Sequence, residues 1–198
     1  MEKQKLNGLL VSAGYSGRMG AFKPLLSYQH NPYVVVIVKK LLSVCEYVTV
    51  VTGFNNSELD ATIRFGFVDG LLFPRVNVVH NDEFQKGMFS SLQTGLKSLS
   101  KLEWILYHFI DQPFHEKKFY SELVGQISND FDWIQPVYSG KEGHPVIFNE
   151  KVADKIIDSP PESILRTIRD LPGVRKKYWN CPYQSILKDY DTPEDVEK

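Results

Sequence analysis

The chain has 198 residues, of which 42% are hydrophobic and 24% charged, with a formal net charge of -1. A polypeptide of this length buries roughly 70% of the surface that its unfolded form exposes, so the fold needs neither disulfides nor a structural metal. The near-neutral balance removes the electrostatic reason to expect nucleic acid or an anionic membrane as the main partner, and any basic patch must be local. Cys45 and Cys181 have no zinc or redox spacing and make no disulfide framework, as expected of free thiols in a reducing compartment. No apolar run reaches the ~20 residues of a membrane span. The opening MEKQKLNG is polar and lacks the apolar core of a signal peptide, so the expected location is the cytoplasm.

In chain order, LNGLLVS (Leu6 to Ser12) reads as the first strand. NPYVVVIVKKLLSV (Asn31 to Val44) is ambiguous: its β-branched run favours a strand, but Asn31-Pro32 suits a helix start. A crossover helix is needed between two parallel strands, which decides for helix. YVTVVTG (Tyr47 to Gly53) is the second strand, and SELDATIRFGF follows as a helix with Ser57 as N-cap. VNVVHN (Val76 to Asn81) is a third strand. SSLQTGLKSL is a helix that brings Leu92, Leu96 and Leu99 onto one face. WILYHFI (Trp104 to Ile110), a helix in HEKKFYSELVGQI and WIQPVY (Trp133 to Tyr138) continue the alternation. After Tyr138, SGKEGHPVIF reads as a Gly-rich turn and a short strand, and PESILRTIRDL as a helix headed by Pro161. Strands alternating with helices specify βαβ units. The expectation is one domain over 1–198, a three-layer α/β fold with a mainly parallel sheet and an antiparallel excursion in the C-terminal third.

The densest chemistry lies in LLVSAGYSGRMGAFKPLL, Leu9 to Leu26. A strand that empties into a Gly-rich loop can hold phosphate, because backbone N–H groups converge on the anion and glycine permits close approach. Walker A requires Gly-Lys-Ser/Thr, whereas Lys23 is followed by Pro24. The dinucleotide fingerprint requires G-x-G-x-x-G and an acid after the second strand. Here Gly14 is followed two residues on by Ser16, and the second strand ends in VTGF. Two cations, Arg18 and Lys23, at the far end of such a loop suit a triphosphate, the alternative being solvated surface charges.

These residues resemble the signature of the MobA-like nucleotidyltransferases, the relatives of molybdenum cofactor guanylyl- and cytidylyltransferases, written L-x-A-G-x-S-x-R-M-G-x-x-K-x-L-L. Ala13, Gly14, Ser16, Arg18, Met19, Gly20, Lys23, Leu25 and Leu26 match, and Ser12 replaces a usual alanine. VVTGFNN, NDEFQKGMFSSLQTGL (Asn81 to Leu96), DQP (Asp111 to Pro113), GHPVIF and DYDTPEDV follow in the family's order, so the likeness runs from about Leu6 to Val196. GHPVIF, and DQP in place of G-D-M-P, favour the cytidylyltransferase-like branch.

The resemblance implies a Rossmann-like α/β/α fold of the nucleotide-diphospho-sugar-transferase type. It implies Mg²⁺-dependent transfer of a nucleoside monophosphate from an NTP, CTP before GTP, to a phosphorylated acceptor of the molybdopterin type, with pyrophosphate released and a molybdoenzyme as eventual recipient. Ser12, Ala13, Gly14, Ser16, Arg18 and Lys23 would hold the nucleotide's phosphates, and Asn81, Gly87, Ser90 and Ser91 its base and ribose. Lys23, Arg18 and Asp111 would be catalytic, Asp111 and Asp191 would hold Mg²⁺, and His144 would meet the acceptor. Several keep a structural alternative: Asp111 as cap of the helix after it, Asp191 as a cap in DTPED, Asn81, Ser90 and Ser91 as loop and cap residues, and His144 as a packed histidine. His30, His80, His108 and His115 show no ligand spacing and read as structural. Two rival functions remain: a sugar- or alditol-phosphate nucleotidyltransferase, against which GHPVIF and GMFSSLQTGL count, and a non-catalytic carrier of a pterin cofactor.

Overall fold

The computed structural model describes residues 5–17, 20–28, 30–67, 73–100 and 103–189. Its strands are β1 (Leu6–Ser12), β2 (Ser27–Tyr28), β3 (Asn31–Pro32), β4 (Tyr47–Thr52), β5 (Val76–His80), β6 (Trp104–Phe109), β7 (Trp133–Tyr138), β8 (Lys141–Glu142), β9 (Val146–Asn149) and β10 (Lys176–Asn180). Its helices are α1 (Tyr33–Leu41), α2 (Asn56–Gly66), α3 (Met88–Ser98), α4 (Lys117–Val124), α5 (Glu150–Ile157) and α6 (Leu165–Arg169). The main sheet runs β10-β7-β9-β6-β1-β4-β5, with β8 paired to β7. All its pairings are parallel except those that β9 makes with β6 and β7 and the β7–β8 ribbon, so the antiparallel excursion sits in the C-terminal third.

Side-chain alternation separates the two faces. Leu6 and Leu10 of β1 and Trp104 and Leu106 of β6 pack into a core under α1, α2 and α4. Leu9, Val11, Ile105 and Tyr107, one residue out of step, pack into a second core under α3, α5 and α6. Successive strand side chains point to opposite faces, so one strand supplies both cores. The α3 layer lies close: a Cβ on Gly95 would fall 2.4 Å from Leu9 Cδ1 and 2.7 Å from Val51 Cγ2. Glycine is therefore required there.

The ambiguous segment is a helix. Val34, Val35, Ile37, Val38 and Leu41 of α1 are all buried, which outweighs a propensity cost of a few tenths of a kcal/mol per β-branched residue. Asn31-Pro32 is not inside that helix; it pairs with Ser27–Tyr28, and the helix starts at Tyr33. Ser57 does not cap α2, since Asn55, at φ 53°, holds that position. The helix expected from Pro161 is confined to Leu165–Arg169. Among the described residues no helix is long and apolar enough to cross a membrane.

Candidate active site

β1 lies between β4 and β6. The chain leaves β1 for β4 and β5 on one side and returns to β6 on the other. Open α/β sheets bind ligands at this reversal, beyond the carboxyl ends of the strands. The loop after Ser12 and the turn after Phe109 meet there. They enclose a cavity of about 220 Å³ lined by Ser12, Gly14, Ser16, Gly17, Lys23, Pro24, Ile110 and Asp111. The loop is folded back on itself. Ser16, at φ 56°, accepts a hydrogen bond from the Lys23 N–H at 3.1 Å, and Lys23 opens a single 3₁₀ turn, Lys23–Leu25. Lys23 is only 7% exposed and lines the cavity, so it is not a solvated surface residue.

Ser12 Oγ is buried without a hydrogen-bond partner among the described residues. A buried hydroxyl left unpaired costs about 1–3 kcal/mol, so one in a cavity wall is suited to a polar ligand. Asp111 is not the cap of α4, because that helix begins at Lys117 with Glu116 at its N-cap. Burial, with the nearby Asp111 charge second, pushes the Tyr107 phenol well above its usual range.

The turn after Asp111 is held from several sides. Lys40 Nζ donates to Pro113 O at 2.5 Å, and burial, then the charge of Lys117, brings its pKa down to about 8. Gln112 Nε2 donates to Asp189 Oδ1 at 2.8 Å. The His115 ring lies 3.0 Å from Ser185 Oγ and 3.4 Å from Gln112 Oε1. His108 bonds Tyr120 OH at 2.8 Å, and burial drives its pKa down to about 3. Asp189, the last described residue, is thus tied to Gln112, which follows Asp111 in the chain. Arg18 and Asp191 lie outside the described residues.

Asn81, Ser90 and Ser91 come together, but facing inward. Asn81 Nδ2 donates to Ser90 Oγ at 3.1 Å and to Ser91 Oγ at 2.9 Å, while its Oδ1 accepts from Glu83 N at 3.0 Å. All three side chains are buried, and none lines a cavity described here. Their hydrogen bonds tie the loop after β5 to the head of α3. The N-cap of α3 is Gly87, and no side chain caps the helix.

Gly87 lines a second, larger cavity of about 440 Å³ on the face covered by α3, α5 and α6. Leu92, Tyr107, Phe109 and Trp133 give it an apolar wall; Gln135, Glu142, His144 and Arg169 give it polar points. His144 Nδ1 is buried without a partner among the described residues, and the ring lies 4.5 Å from that of Phe109. Burial brings the His144 pKa down to about 4, the Glu142 charge opposing and Arg169 adding to it, so the ring is neutral near pH 7. Arg169 pairs with Glu142 and, at 3.0 Å, with Asp170. Sequence reading did not find Trp133, Gln135, Glu142 or Arg169. A glutamine in the middle of the apolar WIQPVY was the available signal. Phe109 walls the large cavity and the consecutive Ile110 and Asp111 wall the small one, so the two share the end of β6.

Comparison with known proteins gives the relatives of this chain and its fold. A family profile described as the MobA-like NTP transferase domain matches residues 8–176. A molybdenum cofactor cytidylyltransferase of Escherichia coli (strain K12) is 23% identical over 189 residues, covering 94% of this chain and 91% of that protein. A probable molybdenum cofactor guanylyltransferase of Bacillus cereus is 22% identical, covering 77% of this chain and 72% of that protein. A solved nucleotidyl transferase from Methanothermobacter thermautotroptrophicus superposes with a TM-score of 0.76 at 18% identity, over 98% of this chain and 94% of that one, which shows a common fold.

Proposed function

This chain belongs to the MobA-like NTP transferase family, and from that membership we propose that it moves a nucleoside monophosphate from CTP to a phosphorylated acceptor of the molybdopterin type. The observation that carries the reading is the small cavity, where a buried lysine of the Gly-rich loop and a carboxylate from the turn after β6 line one pocket at the sheet's reversal point. Lys23 and Arg18 hold the triphosphate. An oxygen of the acceptor's phosphate attacks the α-phosphorus, the bond to the β-phosphate's bridging oxygen breaks, and pyrophosphate leaves. Both fragments are anionic, so fixed positive charge and alignment supply the catalysis, and no side-chain nucleophile is needed.

Among the described residues no group of three or more His, Cys, Asp or Glu side chains is placed to hold a metal ion. Mg²⁺ does not require one, since it is held by one or two carboxylates with phosphate and water completing its shell. The Asp111 carboxylate in the phosphate cavity fits that role, with Asp191 as second ligand, and the ion would offset charge on the reacting phosphates. CTP as donor is supported by the cytidylyltransferase, which aligns over more of the chain than the guanylyltransferase. With Ser90 and Ser91 turned inward, base choice falls to backbone groups of the surrounding loops. The large cavity, with neutral His144 as a hydrogen-bonding group, takes the acceptor. Pyrophosphate release measured with CTP, GTP, ATP and UTP, with and without molybdopterin and Mg²⁺, tests all three assignments. Release from CTP that needs both additions is expected. Release from GTP alone would refute the donor, and acceptor-independent release would refute the acceptor.

A further inference from the structure

Beside the loop that walls the small cavity, three loops bring aromatic rings into contact. Tyr15 comes from the loop after β1, Phe54 follows β4, and Phe84 follows β5. The Tyr15 ring lies 5.0 Å from Phe54 and 5.2 Å from Phe84, and Phe22 closes on Phe54 at 5.7 Å. Tyr15 and Phe54 are nevertheless 53% and 40% exposed. The backbone is built to hold this arrangement: Phe54 N–H donates to Ala13 O at 3.0 Å. A Cβ on Gly53 would fall 2.7 Å from the Phe84 ring and from Ala13 O, so glycine is what lets Phe84 sit against the base of the loop. Tyr15 stands between Gly14 and Ser16, and both of those line the phosphate cavity. Apolar rings clustered beside a cavity-lining loop and left partly in water offer a face to a flat partner.

We propose that Tyr15, Phe54 and Phe84 form a stacking face for the base of the bound nucleoside triphosphate, with Tyr15 on the same loop that walls the cavity taking its phosphates. The proposal rests on the nucleotide-binding reading given above. Every base has a π-face, so stacking raises affinity for NTPs as a class and leaves the choice among them to hydrogen bonds at the base edge. The rival role for the same rings is to pin the Gly-rich loop, and the two roles separate by ligand. Stacking acts on a base, whereas pinning acts on whatever phosphate the loop holds.

Calorimetric titration of the full chain in Mg²⁺ with CTP, GTP, ATP, UTP and inorganic tripolyphosphate makes the distinction. Tyr15→Ala is expected to weaken all four NTPs by roughly 10- to 100-fold, to leave tripolyphosphate unchanged, and to be matched in direction by Phe54→Ala, while Tyr15→Phe binds as wild type. Parallel weakening of NTPs and tripolyphosphate would overturn the proposal in favour of loop pinning, and unchanged NTP affinity would overturn it outright. A wild-type chain that binds tripolyphosphate as tightly as any NTP would remove the base contact but keep the phosphate site. One that binds neither would take down the nucleotide reading itself.

Discussion

The small cavity draws six of its eight wall residues from a single stretch, Ser12 to Pro24, whereas the large one is assembled from five stretches between Lys86 and Arg169. The first is mostly loop backbone with one buried amine and one carboxylate. The second is aromatic and aliphatic, with a neutral histidine and an Arg–Glu pair at its polar points. Under the proposed function this contrast is a division of labour. A triphosphate is the same in every NTP and can be gripped by a short, contiguous, glycine-bearing loop, but an acceptor is individual, and a pocket for it must be composed from distant side chains. Substitutions should therefore sort by cavity, into those that affect the nucleotide step and those that affect the acceptor alone.

The largest separation is expected from Asp111→Asn. Steady-state turnover in Mg²⁺ should fall on the order of 1000-fold, the upper range for one preorganised electrostatic contact. Its thermal midpoint should stay near wild type, since Glu116 and not Asp111 occupies the N-cap of α4. A cooperative loss of stability with activity retained would make Asp111 structural. In the other cavity, His144→Ala should raise the acceptor KM about 10-fold, the worth of one buried hydrogen bond, and leave the NTP KM alone. Equal shifts in both would erase the distinction between cavities.

The histidine also gives the large cavity a pH signature. With its pKa down to about 4, His144 stays neutral from pH 8 to pH 5, and acceptor KM should be flat across that range. In the folded chain His144 and His108, the latter at about 3, bind fewer protons than in the unfolded chain. The stability they contribute is present above pH ~6.5 and is lost as pH falls toward those values, by up to about 1.4 kcal/mol per pH unit for each group. Urea unfolding at stepped pH measures it, and His144→Gln should flatten the slope between 6.5 and 4. The smallest effect belongs to Ser12→Ala. Removing an unpartnered buried hydroxyl should stabilise the fold by about 1 kcal/mol while weakening NTP binding a few-fold, readable by thermal unfolding and titration. Loss of stability would show that Ser12 has an internal role.

The legibility of the two regions differs for the same reason. β1 and β7 have the bounds that their apolar runs indicate, and the loop after β1 carries its chemistry in consecutive residues. The large cavity could not be read, because Trp133, Glu142 and Arg169 become neighbours only once β7, β8 and α6 pack. α5 went unassigned although its signal was local: Asn149 caps it, accepting from Val152 N at 3.4 Å, and Val152 and Ile156 share its buried face. β10 was missed because KKYWN, at the sheet's margin, lacks a clean alternation of apolar and polar residues. At Ser90 and Ser91 a motif gives position but not partners: that Asn81 donates to both hydroxyls was not legible in the sequence.

The central claim is that the loop cavity grips a triphosphate through Lys23 during transfer. Lys23→Met keeps the buried aliphatic stem and removes the charge, so folding should be preserved, as far-UV dichroism can verify. Pyrophosphate release at saturating NTP, Mg²⁺ and acceptor should then fall at least ~100-fold relative to wild type. Turnover near the wild-type value under those saturating conditions would contradict the account.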